Sequence, residues 1–175
     1  MKSDLDPARA REIAEEFLQR TSQLYARAEI AGSLRRKEKV VHDIDIAVIP
    51  SENDHLVWRS KLASAVQAIG GRVISSGEVI VDIEYRNVQV NLFLGKPETW
   101  GSTLMWATGP KGHTIGMTIK AEKKDLLFNS TGIWTRTNPP RLVGGKTEEE
   151  IARILGWNYK PPAMRGRRTS TAEIL

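Results

Sequence analysis

Apolar and polar residues alternate most sharply in two stretches. In "DIDIAVIP", Ile44, Ile46 and Val48 fall on one face of an expected strand, and Asp43 and Asp45 on the other. In "EVIVDIEYRNVQVNLFL", a hairpin turning at Arg86-Asn87 sets Tyr85, Ile83, Val81 and Val79 opposite Val88, Val90, Leu92 and Leu94. One unbroken apolar face specifies the register strongly. The other face pairs Glu84 with Gln89 and Asp82 with Asn91. Strands are depleted in Asn, so Asn91 in mid-strand calls for a reason.

Helical spacing dominates elsewhere. "DPARAREIAEEFLQRTSQL" offers Asp6 as N-cap, Pro7 at the first helical position and a stripe of Ile13, Phe17, Leu18 and Leu24. "HLVWRSKLASAVQAIGG" predicts a second helix with Leu62, Val66 and Ile69 inward and Gly70-Gly71 as its stop. Between them, "AEIAGS" reads as a short strand ending in a Gly-Ser turn, and "LRRKEKVVH" as a charged loop. Beyond residue 98, "LMWATGPKGHTIGMTIKAEKK" reads as a loop leading into a helix, and "DLLFNSTGIW" as strand and turn. "TEEEIARILGW" opens with a capping box, Thr147 with Glu150, ahead of Ile151, Ile154 and Leu155. The order implies an α+β fold, with a small mixed sheet backed by two helices and then a mixed lobe.

Composition narrows the class. The chain has 175 residues, enough for one domain or two small lobes sharing a core. No apolar run approaches the roughly 20 residues that a membrane span needs. The N-terminal stretch is acidic and amphipathic, so no signal peptide is expected, and a cytoplasmic, DNA-associated location fits. There are no cysteines, which excludes disulfides, thiolate metal sites and a Cys nucleophile. Charge is unevenly spread. Residues 1–97 balance 14 Lys+Arg against 14 Asp+Glu, while residues 98–175 carry 12 against 7 and hold the whole net charge of +5. "KPPAMRGRR" adds a basic stretch near the C-terminus. A neutral half beside a basic half suggests that one lobe meets a polyanion; a solvated basic tail is the plainer alternative.

The candidate chemistry lies in "GSLRRKEKVVHDIDI". Asp43 and Asp45, at i and i+2 on a strand, send carboxylates from one face about 7 Å apart at the backbone. Two like charges side by side call for a cation, and Mg²⁺ is usually held by one or two carboxylates together with substrate phosphates. Upstream, Gly32-Ser33 ends a strand in a turn able to offer backbone N–H groups and a hydroxyl to phosphate. Arg35 and Arg36 follow, able to clamp phosphate oxygens. Alone, a DxD is a solvated strand face and a Gly-Ser a simple turn. Together, on adjacent strands flanking a basic loop, they describe a site for Mg²⁺-nucleotide.

"GSLRR" followed by "DID" resembles the nucleotidyltransferase fold of the DNA polymerase beta superfamily, and within it the family X DNA polymerases. "VQVNLF" resembles the strand carrying that family's third catalytic carboxylate. "MWATGPKGHTIGM" resembles the Thr-Gly turn and helix that open the thumb, and "TEEEIARILGWNYKPPAMR" the C-terminal segment. The likeness is to a minimal palm-plus-thumb form, without the lyase domain and helix-hairpin-helix clamps of larger members. It implies a palm over residues 1–97 and a small basic α+β thumb over 98–175. It implies two Mg²⁺ ions, with Mn²⁺ as a substitute, at Asp43, Asp45 and position 91. It further implies nucleotide contacts from Gly32, Ser33, Arg36, His42, Trp106, Ala107, Thr108, Gly109 and Thr114, with Arg35 serving structure. The implied activity is gap-filling synthesis on a DNA primer-template from dNTPs by a monomer, the thumb following the DNA backbone.

Three positions depart from the pattern. Asn91 stands where the family has a metal-binding Asp; it carries no charge and is no useful general base, so impaired catalysis is expected. Two accounts of it are open: a substitution made to trap a substrate complex, and natural divergence in which Asp82 across the hairpin supplies the charge. Trp106-Ala107 replaces a pair of aromatics near the nucleotide sugar, which opens the door to ribonucleotides; Trp106 is equally readable as core. Thr114 stands where an Asn often touches the base, and His113 beside it has two readings: a stacking or hydrogen-bonding residue, or a surface residue at a helix start. Other functions within reach are a template-independent or other nucleotidyltransferase of the superfamily, and a non-catalytic DNA-binding module.

Overall fold

The structure, a computed structural model, describes residues 4–166. The first helix, α1 (Pro7–Arg20), begins where its cap predicts, with Asp6 accepting the Arg9 backbone N–H at 3.4 Å. Then come β1 (Tyr25–Ile30), a one-turn helix α2 (Gly32–Arg35), β2 (Ile44–Pro50), α3 (His55–Ala68), β3 (Arg72–Ser76), β4 (Ile80–Tyr85) and β5 (Val88–Leu94). The strands form one sheet in the order β1-β2-β5-β4-β3. The β2–β5 pair is parallel and the other pairs antiparallel, so the sheet is mixed, as expected.

The hairpin has the anticipated register, with Tyr85 opposite Val88, Ile83 opposite Val90 and Asp82 opposite Asn91. Arg86 and Asn87 both take left-handed φ, 50° and 62°, the twist that a two-residue hairpin loop requires. One sheet face buries Ile44, Ile46, Val48, Val81, Ile83, Val90 and Leu92 in a core shared with Phe17, Leu62 and Val66 of the two helices. Trp58 also enters this core, its indole N–H donating to the Leu24 carbonyl at 2.7 Å. Ile69, expected inward, caps α3 and is only half-buried.

The remaining elements are α4 (Trp100–Thr108), α5 (Lys111–Glu122), β6 (Leu126–Asn129), β7 (Gly132–Thr135), β8 (Leu142–Gly144) and α6 (Glu148–Leu155). Strands β6, β7 and β8 make a small antiparallel sheet. Residues 104–108, the second half of α4, correct the loop expected there. Helix α4 is buried at every position except Trp106, so it shows no polar stripe to reveal its period. Its first turn is capped from a distance: the Gly101 and Ser102 N–H groups donate to the Lys146 and Gly145 carbonyls at 2.9 and 3.0 Å.

Helix α4 is a wall shared by two cores. Trp100, Leu104 and Ala107 pack with Ala47, Ile49 and Phe93 on the second face of the five-stranded sheet. Met105 turns the other way, to Met117, Phe128, Ile133, Ile151 and Leu155. Among the described residues, no helix is long and apolar enough to cross a membrane. Arg167 and Arg168 of the basic C-terminal stretch lie outside the described residues.

Candidate active site

Strand alternation divides the second face of the sheet into two ends. Along β2, Asp45, Ala47 and Ile49 share a side; along β5, Gln89, Asn91 and Phe93 do. Helix α4 covers the apolar end, and the polar end stays open. Because β2 and β5 are parallel neighbours, Asp45 lies directly beside Asn91. Asp43 and Asp45 line a cleft of about 610 Å³ with Ser33, Arg36, Lys37, Lys39, His42 and one further acid, Glu38. Asp43 and Asn91 also line a second cleft of about 590 Å³, with Ser75, Asp82 and Gln89. The acidic ridge thus divides a cationic cleft from a neutral-to-acidic one.

Gly32 makes the close approach possible. It takes a φ of +57°, and a methyl group at its Cα would sit inside the van der Waals radius of the Asp45 carboxylate. The Gly-Ser pair opens α2 instead of ending in an open turn, so the charged loop starts only at Arg36. The two arginines then diverge. Arg36 lines the cationic cleft and donates through Nη1 to the Thr108 carbonyl at 2.6 Å. Arg35 turns away, to Glu148 and to the Thr108 hydroxyl at 2.8 Å. His42 is exposed, its Nδ1 3.1 Å from the Asp4 carboxylate.

Asn91 is held at both ends of its amide. Its Nδ2 donates to Asp45 Oδ1 at 2.9 Å, and its Oδ1 accepts from Gln89 Nε2 at 2.8 Å. Asp82, opposite Asn91 across the hairpin, accepts from the Ser75 hydroxyl at 2.8 Å. Among the described residues, no group of three His, Cys, Asp or Glu side chains is placed to hold a metal ion. What the ridge offers a ligand is the oxygens of two carboxylates beside the basic cleft, while the Asn91 amide turns its NH₂ group to Asp45. That donor chemistry fits a hard cation shared with a phosphate ligand.

The other expected nucleotide contacts line neither cleft. Trp106 packs on Phe128 with ring centroids 6.0 Å apart. Ala107 is buried in the seam under the sheet. The Thr108 hydroxyl donates to the Leu104 carbonyl at 2.6 Å, and Gly109 ends α4 with a φ of 63°. Thr114 turns its hydroxyl to the Pro110 and Lys111 carbonyls at 3.2 and 3.0 Å. In this conformation these side chains serve packing and helix ends. Of the two readings of His113, the surface one fails and the ring contact is seen: its ring stands edge-on to Trp157 at 4.7 Å. Burial, with the Arg165 charge, lowers its pKa to about 4.

Two residues escaped the sequence reading. Gln89 was visible as a polar position of β5, but its bond to Asn91 was not. Glu148 lies inside the "TEEEIARILGW" stretch and drew no role of its own, yet it is buried and receives both Arg35 and Arg165. Burial raises the Glu148 pKa, but hydrogen bonds from the two arginines outweigh that and leave it below the ordinary carboxylate value.

A family model of the DNA polymerase beta thumb matches residues 103–166. The chain is also similar to Repair DNA polymerase X of African swine fever virus. It is 29% identical over 141 residues to the protein of isolate Pig/Kenya/KEN-50/1950, covering 77% of this chain and 78% of the relative. It is 28% identical over 141 residues, with the same coverage, to that of isolate Tick/Malawi/Lil 20-1/1983. The thumb match begins inside α4 and the likeness to the viral repair polymerases spans most of the chain, and together they support a family X DNA polymerase.

Proposed function

We propose that the chain is a template-directed DNA polymerase of repair type, filling short gaps by adding deoxynucleotides to a primer 3′-hydroxyl. The observation that carries this reading is the pairing of Asp45 with position 91 beside Asp43, at the edge of a cleft lined by Ser33, Arg36 and two lysines. The viral relatives' name and the thumb match support it, and DNA and nucleotides are the substrates it implies.

Each residue has a task in this reading. Ser33 and Arg36 hold the outer phosphates of the nucleotide, while Lys37 and Lys39 raise the positive potential that draws a triphosphate in. Asp43 and Asp45 would hold divalent cations, Mg²⁺ with Mn²⁺ as substitute. Such ions, when bound, neutralise charge developing on the transferring phosphoryl group and favour ionisation of the attacking hydroxyl. Asn91 can offer only a neutral oxygen and cannot take a proton. Nucleotide therefore binds while bond formation is slow. In the natural-divergence account of Asn91, Asp82 must leave Ser75 to reach the ridge. Ala107, placed where an aromatic would crowd the sugar, is expected to relax discrimination against ribonucleotides.

The test is primer extension on a one-nucleotide gap with Mg²⁺ or Mn²⁺, by this chain and by Asn91→Asp. The reading expects the Asp form to extend according to template and much faster. Template-independent addition would point to a terminal transferase. DNA binding without extension by either form would sink the polymerase reading.

A further inference from the structure

Hydrogen-bond polarity decides which end of the Asn91 amide faces the ridge. An ionised carboxylate only accepts, so the NH₂ group of Asn91 must turn to Asp45, leaving its oxygen toward Gln89. Gln89, two residues back on the same face of β5, meets that oxygen with its own NH₂ at 2.8 Å. The donors run one way, from Gln89 to Asn91 to Asp45. For Asn91 to offer its oxygen to a cation, the amide must rotate by half a turn. With the Gln89 amide as it stands, that breaks both bonds and sets two NH₂ groups against each other. We propose that Gln89 is a positioning residue that locks the Asn91 amide with its oxygen withheld from the Asp43/Asp45 pair. The inference rests on the reading that this pair holds a divalent cation.

Gln89→Met keeps the length and removes the donor. Asn91 then turns at the loss of one bond instead of two, so Mn²⁺ binds about fivefold more tightly, the factor that corresponds to one net hydrogen bond. The gain requires the amide. It is absent from Gln89→Met in an Asn91→Ala background. It is also absent with Asn91→Asp, where either carboxylate oxygen can accept from Gln89 while the other faces the cation. Binding of Mn²⁺ alone is read from the resonance of the free ion, so turnover does not enter. Thermal unfolding of each variant checks folding, and Gln89→Leu carries the same expectation should Gln89→Met fold poorly.

A gain confined to the Asn91 form supports the lock. Mn²⁺ binding that neither substitution tightens, or a gain that persists without Asn91, overturns the lock while leaving the cation reading intact. No Mn²⁺ binding by any form, Asn91→Asp included, overturns both.

Discussion

Arg35 and Glu148, 113 positions apart in sequence, meet in two parallel hydrogen bonds, Nη2 to Oε1 at 2.6 Å and Nη1 to Oε2 at 3.1 Å. Arg165 adds a third, from Nη1 to Oε2 at 2.5 Å. Arg165 is itself held against the Trp157 and Tyr159 rings, 5.4 Å from each centroid. One carboxylate thus ties α2 to α6 and to the segment after it. Glu148→Ala would strand two guanidinium groups. We expect it to lower the unfolding free energy by about 3 kcal/mol, read from urea denaturation.

The same carboxylate shapes acid stability. Its pKa lies below the ordinary 4.5 in the folded chain, because the two arginines outweigh the burial that raises it. The unfolded chain therefore takes up this proton first as pH falls. The stabilisation is complete above about 4.5 and is lost as pH drops through the lower folded value. Glu148→Gln should flatten that part of the stability profile.

His113 acts in a separate window. Burial, then the charge of Arg165, moves its pKa from 6.5 to about 4. Below 6.5 the unfolded chain binds a proton that the folded chain refuses until about 4, so stability declines across that interval. Unfolding midpoints measured from pH 7 to 4 should fall for the parent and stay more nearly level for His113→Phe.

Two glycines separate strain from site geometry. Gly32 and Gly70 both have positive φ, but only Gly32 has Asp45 against its Cα, whereas Gly70 faces open space. Alanine at either position should cost about 1–2 kcal/mol of stability from the left-handed backbone. Only Gly32→Ala displaces a ridge carboxylate. Nucleotide affinity, measured by fluorescence titration, should fall for Gly32→Ala and hold for Gly70→Ala.

The capping box at α6 is split between two tasks. Thr147 Oγ1 accepts from the Glu150 N–H at 3.0 Å, as expected, but the Glu150 side chain accepts from the Gly145 N–H at 2.8 Å instead of returning to Thr147. Thr147→Ala should cost about 1 kcal/mol as an ordinary cap loss. Glu150→Ala should also loosen the 145–146 loop that caps α4, read as faster amide exchange at Gly101 and Ser102.

Legibility followed the range of the interactions. The hairpin register and the faces of β2 could be read because each rests on neighbours two residues apart. The cap of α1 could be read because its partners are three apart. Helix α4 was missed because a helix buried on nearly every side has no contrast to display. Trp58 was passed over because its partner, the Leu24 carbonyl, comes from outside its own helix. Asp43 and Asp45 were visible as a pair, and position 91 as their companion only through resemblance. The Gln89–Asn91–Asp45 chain needed the parallel pairing of β2 with β5, which no local pattern announces. The arginines of α2 look alike in sequence; only the arrival of Glu148 and Thr108 from the second lobe gives them different work.

Strand β5 carries one further consequence. Sliding it by one residue against β4 would drive Gln89 and Asn91 toward the aliphatic interior beneath α1 and α3, and turn Val90 and Leu92 out to water. The polar side chains of the ridge therefore penalise a misthreaded sheet in proportion to their own cost of dehydration. A carboxylate at position 91 would enforce that proofreading more severely than an amide, and an aliphatic residue would abolish its share. Folding fidelity and chemistry press on the same few atoms.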